Sequence, residues 1–459
     1  MNNYGIIISM IEVLPKNLIT LAGKFDKPLY LVGGAVRNYL IDKSLSIDLD
    51  ISAPIPIDQF VSVIENSGFK VNATYKRTGT VLFVDGKYRY EYTAFRKEKY
   101  VGGNHTPEYT QFTEDILEDS LRRDFKCNAV YYDIKNQKYI DLLGGIENIK
   151  NKILDTVREP DKVFSSDGLR LMRLARFVGE LDFNPTQEVI ESAKRHSDNI
   201  VDISPERIYA ELKMILVADT KYSFSSAYGH YNALKILDRT RVLDRIIPEI
   251  TLGREMVQRK DFHKYDVLEH ILRTVLYSKP EVRLGALLHD VGKPFCLKRD
   301  GKYHYHAVEG EKIAEKVLKR LKADNQTIAK VKFLVREHML DLDCAMGEGK
   351  LRRFLVKNNA YIEELLNLKQ ADFKAGLESE DVAPTIIKWR GILEKMKKDG
   401  TPFNYKDLTI TAVDLMEIGY KGKAIGKVLE ELFDFCILNP EQNQKQILAN
   451  KAKTAFNKS

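Results

Sequence analysis

Asp48 and Asp50 are separated by one residue in the stretch LVGGAVRNYLIDKSLSIDLDIS, residues 31–52. On a strand, side chains alternate with period two, so both carboxylates face the same side. Two hard oxygen ligands on one face suit one or two Mg²⁺ ions. Upstream, Gly33 and Gly34 stand between an apolar pair, Leu31-Val32, that can end a strand and a segment, AVRNYLI, that reads as the first turns of a helix. Glycines at such a junction let the backbone approach a phosphate closely. The helix N-terminus behind them offers free N–H groups and a positive dipole end. Arg37, one turn into that helix, adds a fork of donors. A GG turn or a D-x-D alone is common, but this order of pieces suits metal-assisted transfer of a nucleotidyl group.

A second constellation lies in the other half of the chain. Its members are His263 and His270, the pair His289-Asp290, His306, His338 and Asp372. With His304, six of the nine histidines fall in this region, so the imidazoles are concentrated where the carboxylates are. Imidazoles and carboxylates together can bind a transition metal or Mg²⁺ and activate water. The competing reading is a degenerate domain that only packs and holds RNA.

The 459 residues are enough for two to four domains. With 44% hydrophobic and 30% charged residues the composition is that of an ordinary soluble protein. No apolar run reaches the length of a membrane span. The first residues lack a basic start and a small-residue cleavage site, so no signal peptide is expected. Cys127, Cys296, Cys344 and Cys436 have no metal or disulfide spacing, which fits reduced thiols in a cytoplasmic protein. A net charge of +7 accommodates a polyanionic partner without demanding one.

Several elements must position these residues. Residues 12–27 read as a short helix, and a second helix ends near Gly68. Two strands follow about an Asp85-Gly86 turn, the second carrying Glu91 among aromatics. Glu91 is either a third carboxylate beside the D-x-D pair or a surface strand residue. Residues 96–115, with Asn104 and His105 near their middle, read as a flexible loop. In EDSLRRDFKCNAVYYD, residues 118–133, Arg122 and Arg123 could hold a triphosphate and Asp124 could accept from a ribose hydroxyl. Gly144 and Gly145 make a turn, and thereafter the chain reads as helix after helix. Residues 164–181 carry Arg170, Arg173 and Arg176 at three-residue spacing, a basic stripe beside an apolar one. Ser204 is the expected N-cap of a helix over 204–216 with Pro205 in its first position. The end of the chain is helical and Lys-rich. Its turn at residues 419–426, with Lys421 and Lys423, suits a phosphate backbone or serves as an ordinary helix connection.

The GG-x-V-R stretch with its D-x-D and the RRDF-x-x-NA segment together resemble the class II group of the polymerase-beta superfamily. That group holds the tRNA CCA-adding enzymes and bacterial poly(A) polymerases. Asn38 stands where the family usually has Asp, and the central loop lacks the family's arginine. The resemblance implies a multidomain fold: an N-terminal α/β head with a mixed sheet over 1–158, then an all-α neck over 159–255. An HD metal-binding domain over 256–380 and a helical tRNA-binding tail over 381–459 would follow. It implies Asp48, Asp50 and Glu91 as the catalytic carboxylates, with Asp48 and Asp50 holding Mg²⁺. Gly33, Gly34, Arg37 and Arg122 would bind the triphosphate and Asp124 the ribose. A family segment E-D-x-x-R, here with Ser166 in place of Glu, implies that Asp167 and Arg170 read the base as an amino-acid template. Arg173 and Arg176 join the nucleotide-binding set. Glu206 and Arg207 would brace the neck. The order H…HD…D resembles the HD phosphohydrolases, implying His270, His289, Asp290 and Asp372 as ligands and His306 and His338 as second-metal ligands, for Mg²⁺, Mn²⁺ or Ni²⁺.

The implied partners are the tRNA 3′ end, CTP and ATP, with no membrane. The expected activity is template-independent CCA addition in the cytoplasm, with a possible HD phosphohydrolase activity beside it. CC-adding, A-adding and poly(A)-adding relatives remain alternatives. So does a phosphohydrolase with an RNA-binding head.

Overall fold

The structure, a computed structural model, describes residues 9–99, 109–258 and 264–456. The chain divides into two compact units, 1–248 with 320–322, and 249–319 with 323–459.

The first unit opens on a mixed sheet. Its strands are β1 (Tyr30–Val32), β2 (Asp48–Ala53), β3 (Lys70–Tyr75), β4 (Thr80–Asp85) and β5 (Tyr88–Ala94). A separate ribbon is formed by β6 (Arg96–Lys99) and β7 (Tyr109–Phe112); β8 (Tyr131–Asp133) and β9 (Lys138–Ile140) complete the sheet. The seven-stranded order is β3-β4-β5-β2-β1-β8-β9. Every pair is antiparallel except β2 with β5. One face of β2 and β5 is apolar: Leu49, Ile51, Tyr90 and Tyr92 are buried. Phe60 stacks on Tyr92 at 3.6 Å between ring centroids and nearly parallel. Period-two alternation therefore forces Asp48, Asp50 and Glu91 onto the opposite face.

Four local expectations change. The helix expected over 12–27 is two helices, Met10–Val13 and Lys16–Ala22, separated at Pro15. The segment 96–115 is not a plain loop: β6 and β7 pair antiparallel, Arg96 opposite Phe112. Backbone hydrogen bonding makes that ribbon, and it leaves no hydrophobic period to read. Asn104 and His105 lie outside the described residues. Residues 164–181 are not one helix, since the chain leaves the helix at Asp167 and re-enters it at Leu169. Finally, Ser204 occupies the N-cap position before Pro205, but its side chain makes no capping bond.

Helices of this unit that bear on the site are α1 (Gly34–Asp42), α2 (Ile57–Glu65), α3 (Ile116–Leu121), α4 (Pro160–Ser166), α5 (Leu169–Leu181) and α6 (Pro205–Leu216). The second unit is helical. It contains α7 (Val267–Tyr277), α8 (Arg283–Leu288), α9 (Lys293–Asp300), α10 (His306–Arg320, whose last residue groups with the first unit), α11 (Asn325–Glu337) and α12 (Ile362–Leu377). Later come α13 (Ala412–Ile418) and α14 (Lys423–Leu438). Gly419 at φ +116° and Gly422 at φ +55° make the turn between these two. Lys421 and Lys423 are exposed on it.

Candidate functional site

The parallel register of β2 and β5 sets Asp50 beside Glu91 and Asp48 beside Arg89. Antiparallel pairing of β1 sets Val32 beside Asp50, so the chain leaves β1 into the Gly33-Gly34 turn next to that carboxylate. Gly33 has φ +72°, and a Cβ there would stand 2.7 Å from Asp50 Oδ2. Both the backbone conformation and the close approach require glycine. Thus the GG turn, the D-x-D and Glu91, separated in sequence by up to 58 positions (91 − 33), share one place on the sheet.

The electrostatics match a cation site. The Asp50 carboxyl is reached by solvent yet ringed by protein. That partial burial raises its pKa against the pull of Arg123, Arg37 and Arg173, and Asp48 adds to the rise. Burial also raises Glu91, reinforced by the charge of Asp50 and opposed by Arg96, Arg122 and Arg123. Carboxylates held together and shifted upward are the environment that a divalent ion relieves. Hard oxygen donors on one face fit Mg²⁺. Arg89 donates to both oxygens of Asp48, at 2.5 and 2.9 Å.

The arginines are held from beneath. Asp119 on α3 is fully buried and pairs with Arg122 at 2.7 Å and Arg123 at 3.0 Å. Tyr131 donates its hydroxyl to the same carboxylate at 2.6 Å. Burial alone would raise Asp119, but Arg122, Arg123 and Tyr131 outweigh it and bring its pKa to about 2. The sequence reading missed Asp119. Its signal was present in the i, i+3 and i, i+4 spacing to the two arginines.

Asp124 is buried, its Oδ1 accepting from the Phe125 N–H and from Asn128, its Oδ2 from Arg173. Asp167 is buried where the helix breaks and accepts the Leu169 N–H at 2.9 Å. Gly168 permits that break, because a Cβ there would lie 2.1 Å from the Asn199 carbonyl oxygen. Arg170 donates to the Arg122 carbonyl at 2.6 Å and to Ser166 Oγ at 3.2 Å. Ser166, which replaces the family glutamate, therefore supports Arg170. Arg176 is ion-paired to Glu211 at 2.7 Å and to Glu180 at 3.2 Å. The stripe read as a basic helix face is thus turned inward, with Arg173 and Arg176 each matched to carboxylates.

Arg37 is 2% exposed. Its nitrogens donate to Asn38 Oδ1 at 3.1 and 2.9 Å, to Asn128 Oδ1 at 2.6 Å and to the Tyr222 hydroxyl at 3.2 Å. Asn38 does the orienting that a family aspartate would do, without its charge.

In the second unit six predicted ligands converge in two groups. His270, His289 and Asp372 form one; Asp290, His306 and His338 form the other. Asp290 links them: its Oδ1 lies 3.2 Å from His306 Nε2 and 3.6 Å from His338 Nε2, while its Oδ2 lies 3.2 Å from His289 Nε2 and 3.5 Å from His270 Nε2. His289 sits at the end of α8, His306 begins α10 and His338 ends α11, while α7 and α12 bring His270 and Asp372. Gly292 closes the turn after Asp290, since a Cβ there would lie 2.1 Å from the His306 carbonyl oxygen. Nδ1 of His289, His306 and His338 each lies 2.7–2.8 Å from the carbonyl three residues earlier. Those bonds fix the tautomer and turn Nε2 inward, as for metal ligands. Asp290 Oδ1 and His289 Nε2 are buried without a hydrogen-bond partner. Such orphans in a nitrogen–oxygen set fit a divalent metal. Lys293 also reaches Asp290, at 2.5 Å, and Gln258 at 2.7 Å. His263 lies outside the described residues.

The chain matches the poly(A) polymerase head domain family over residues 29–155 and the HD domain family over 266–372. A family described as the probable RNA and SrmB-binding site of polymerase A matches residues 182–252. A CCA-adding enzyme of Lactobacillus helveticus is 34% identical over 42% of this chain and 48% of its own length. A CC-adding tRNA nucleotidyltransferase of Thermus thermophilus is 29% identical over 82% of each chain. The matches to the first curated relatives span about half of those proteins' length. The crystal structure of a Bacillus stearothermophilus CCA-adding enzyme with CTP shares the fold, with TM-score 0.64 and 20% identity, over 97% of this chain and all of that one. No helix among the described residues is long and apolar enough to cross a membrane.

Proposed function

The chain belongs to the class II tRNA nucleotidyltransferases, the CCA-adding family, and from that premise we propose that it adds C and A nucleotides to the 3′ end of tRNA. The observation that carries the reading is the register: Asp48, Asp50 and Glu91 on one open sheet face, with the Gly33-Gly34 turn against Asp50. The four-part division into head, neck, HD domain and tail is part of the proposal, as are the tRNA, CTP and ATP partners and the cytoplasmic location.

Asp48 and Asp50 would hold Mg²⁺, with Glu91 the third carboxylate beside them, and the ion when bound would neutralise the triphosphate and lower the pKa of the RNA 3′ hydroxyl. The hydroxyl attacks the α-phosphorus and pyrophosphate leaves. Backbone N–H groups at the start of α1 meet the phosphates, where Gly33 and Gly34 allow the approach. Arg122 and Arg123, fixed by Asp119, add positive charge on the Glu91 side. Arg37 contributes its charge from below the turn. Asp124 serves the ribose, and the Asp167 and Arg170 edges discriminate the base with Arg173 and Arg176 behind them. The test is primer extension with Mg²⁺ on tRNA ending at the discriminator base, at C or at CC, with CTP, ATP or both. Growth to CCA followed by a stop is expected. A stop at CC assigns the activity of the Thermus relative. A added only to the CC primer assigns A addition, long A tails assign poly(A) synthesis, and no extension removes the reading.

The converging HD ligands favour a second activity, metal-dependent phosphohydrolysis at His270, His289, Asp290, His306, His338 and Asp372. Hydrolysis of a 2′,3′-cyclic phosphate with Mg²⁺, Mn²⁺ or Ni²⁺, lost in Asp290→Ala, is the expected result. Absence of hydrolysis with every metal removes it.

A further inference from the structure

Arg37 is a buried cation whose direct partners among the described residues are all neutral. The acceptors are two side-chain amides and a phenol hydroxyl. Its remaining contacts are aromatic: its guanidinium carbon lies 5.3 Å from the Phe177 ring centre and 5.9 Å from that of Tyr222. A buried charge is ordinarily matched by an opposite one. Here the protein supplies amide dipoles and two π faces, which hold a guanidinium in place without cancelling its charge. That charge is beside the phosphate turn, because a Cβ on Gly34 would lie 3.6 Å from Arg37 Nη2.

Both rings are anchored elsewhere. Phe177 stands on α5, edge-on to Phe125, and also underlies Arg173 at 5.0 Å and Arg176 at 4.5 Å. Tyr222 stacks on Phe224 with centroids 4.9 Å apart and planes 11° from parallel. Its loop is tied to the end of α5, where Ser225 donates to the Glu180 carbonyl at 2.6 Å and accepts the Tyr222 N–H at 3.2 Å. Ser223 of the same loop donates to Asp42, the last residue of α1, at 3.3 Å. The loop therefore touches α1 at its first turn and at its end.

We propose that Phe177 and Tyr222 are positioning residues for nucleotide binding, a neutral aromatic clamp that keeps Arg37 out of any direct ion pair and aimed at the triphosphate. Its charge is felt by Asp50 only through space. The inference rests on the nucleotidyl-transfer reading. It makes the clamp specific for phosphate and indifferent to the base, so it separates from Asp167 and Arg170.

The experiment measures equilibrium binding of CTP, ATP and pyrophosphate with Mg²⁺ and no RNA, to the full chain and to Tyr222→Leu, Tyr222→Phe and Phe177→Leu. Loss of either ring should weaken all three ligands by the same factor, about 2- to 5-fold. Tyr222→Phe, which keeps the ring and loses one acceptor, should fall between wild type and Tyr222→Leu. In primer extension KM for both nucleotides should rise while kcat holds. Tyr222 is only half-buried, so its variants keep the test alive if Phe177→Leu fails to fold. Unchanged affinity in folded Tyr222→Leu, or a loss confined to one base, overturns the clamp. Wild type that binds none of the three ligands overturns the transferase reading instead.

Discussion

The two candidate sites solve opposite problems. In the head the acids Asp48, Asp50 and Glu91 lie exposed on a sheet face. Nearby charge is supplied by side chains that are themselves pinned, Arg122 and Arg123 by Asp119 and Arg173 by Asp124. Even Asp48 already has a cation, Arg89. In the HD unit the ligands are closed in: His270, His289, Asp290 and His338 are at most 1% exposed. Two oxygens of Asp290 face four imidazoles. One site is exposed, with only Asp48 of its three acids directly paired to a cation among the described residues, and with Asp50 and Glu91 raised by burial and by the neighbouring carboxylates. The other is unbalanced without metal and shaped around it. In that state the burial penalty on His289 is outweighed by Asp290 and Asp372, which raise its pKa to about 10. The penalty wins at His338, whose pKa falls to about 4. The enclosed cluster is marked by such conflicts, and the exposed acidic face by how its neighbouring arginines are held.

Four changes can break or sharpen this contrast. The largest effect is expected from Asp48→Ala, which should lower single-turnover nucleotide addition roughly a thousand-fold with the fold intact. Near-normal addition by that variant would sink the assignment of the head acids. Asp290→Ala should weaken metal retention at the HD site by more than roughly 100-fold, since it removes the ligand shared by both groups. Metal content after dialysis reads it, and nucleotide addition should be unchanged. If addition fell in parallel, the two sites would not be separate.

Asp119→Asn should destabilise the first unit by about 3 kcal/mol, because it leaves two arginines without their buried partner. Denaturant unfolding measures this. The pH dependence has a definite sign: the folded pKa of about 2 lies below the ordinary 3.8. The stabilisation is therefore present above about pH 4 and disappears as pH falls through the folded value, so the variant and wild type should converge in acid. The smallest effect is expected at Arg89. In an Asp290→Ala background, Arg89→Gln should bind Mn²⁺ at the head roughly 2- to 5-fold more tightly, because an exposed pair competes only weakly with the ion. Weaker Mn²⁺ binding would show that Arg89 supports the metal site instead of opposing it.

The sequence alone determined which residues could do chemistry. D-x-D on a strand, GG before a helix and the H…HD…D order are local patterns, and local geometry dictates what they present. The helical character of the second half was legible for the same reason, since a 3.6-residue period is local. Tertiary structure decided what pairing and burial decide. The ribbon of β6 and β7 has no period to reveal it. The break at Asp167 depends on Gly168 meeting Asn199, thirty-one positions along the chain (199 − 168). Arg170, Arg173 and Arg176 read as a basic stripe without partners because a stripe has no inside until α5 is packed. Glu91 stood between two readings until a parallel register set it beside Asp50. Tyr222 carried no signal, because its partner Arg37 lies 185 positions away and only the packed core brings a cation and a ring together. Types and spacings are written along the chain. Which charge meets which partner depends on separations that only the packed chain creates.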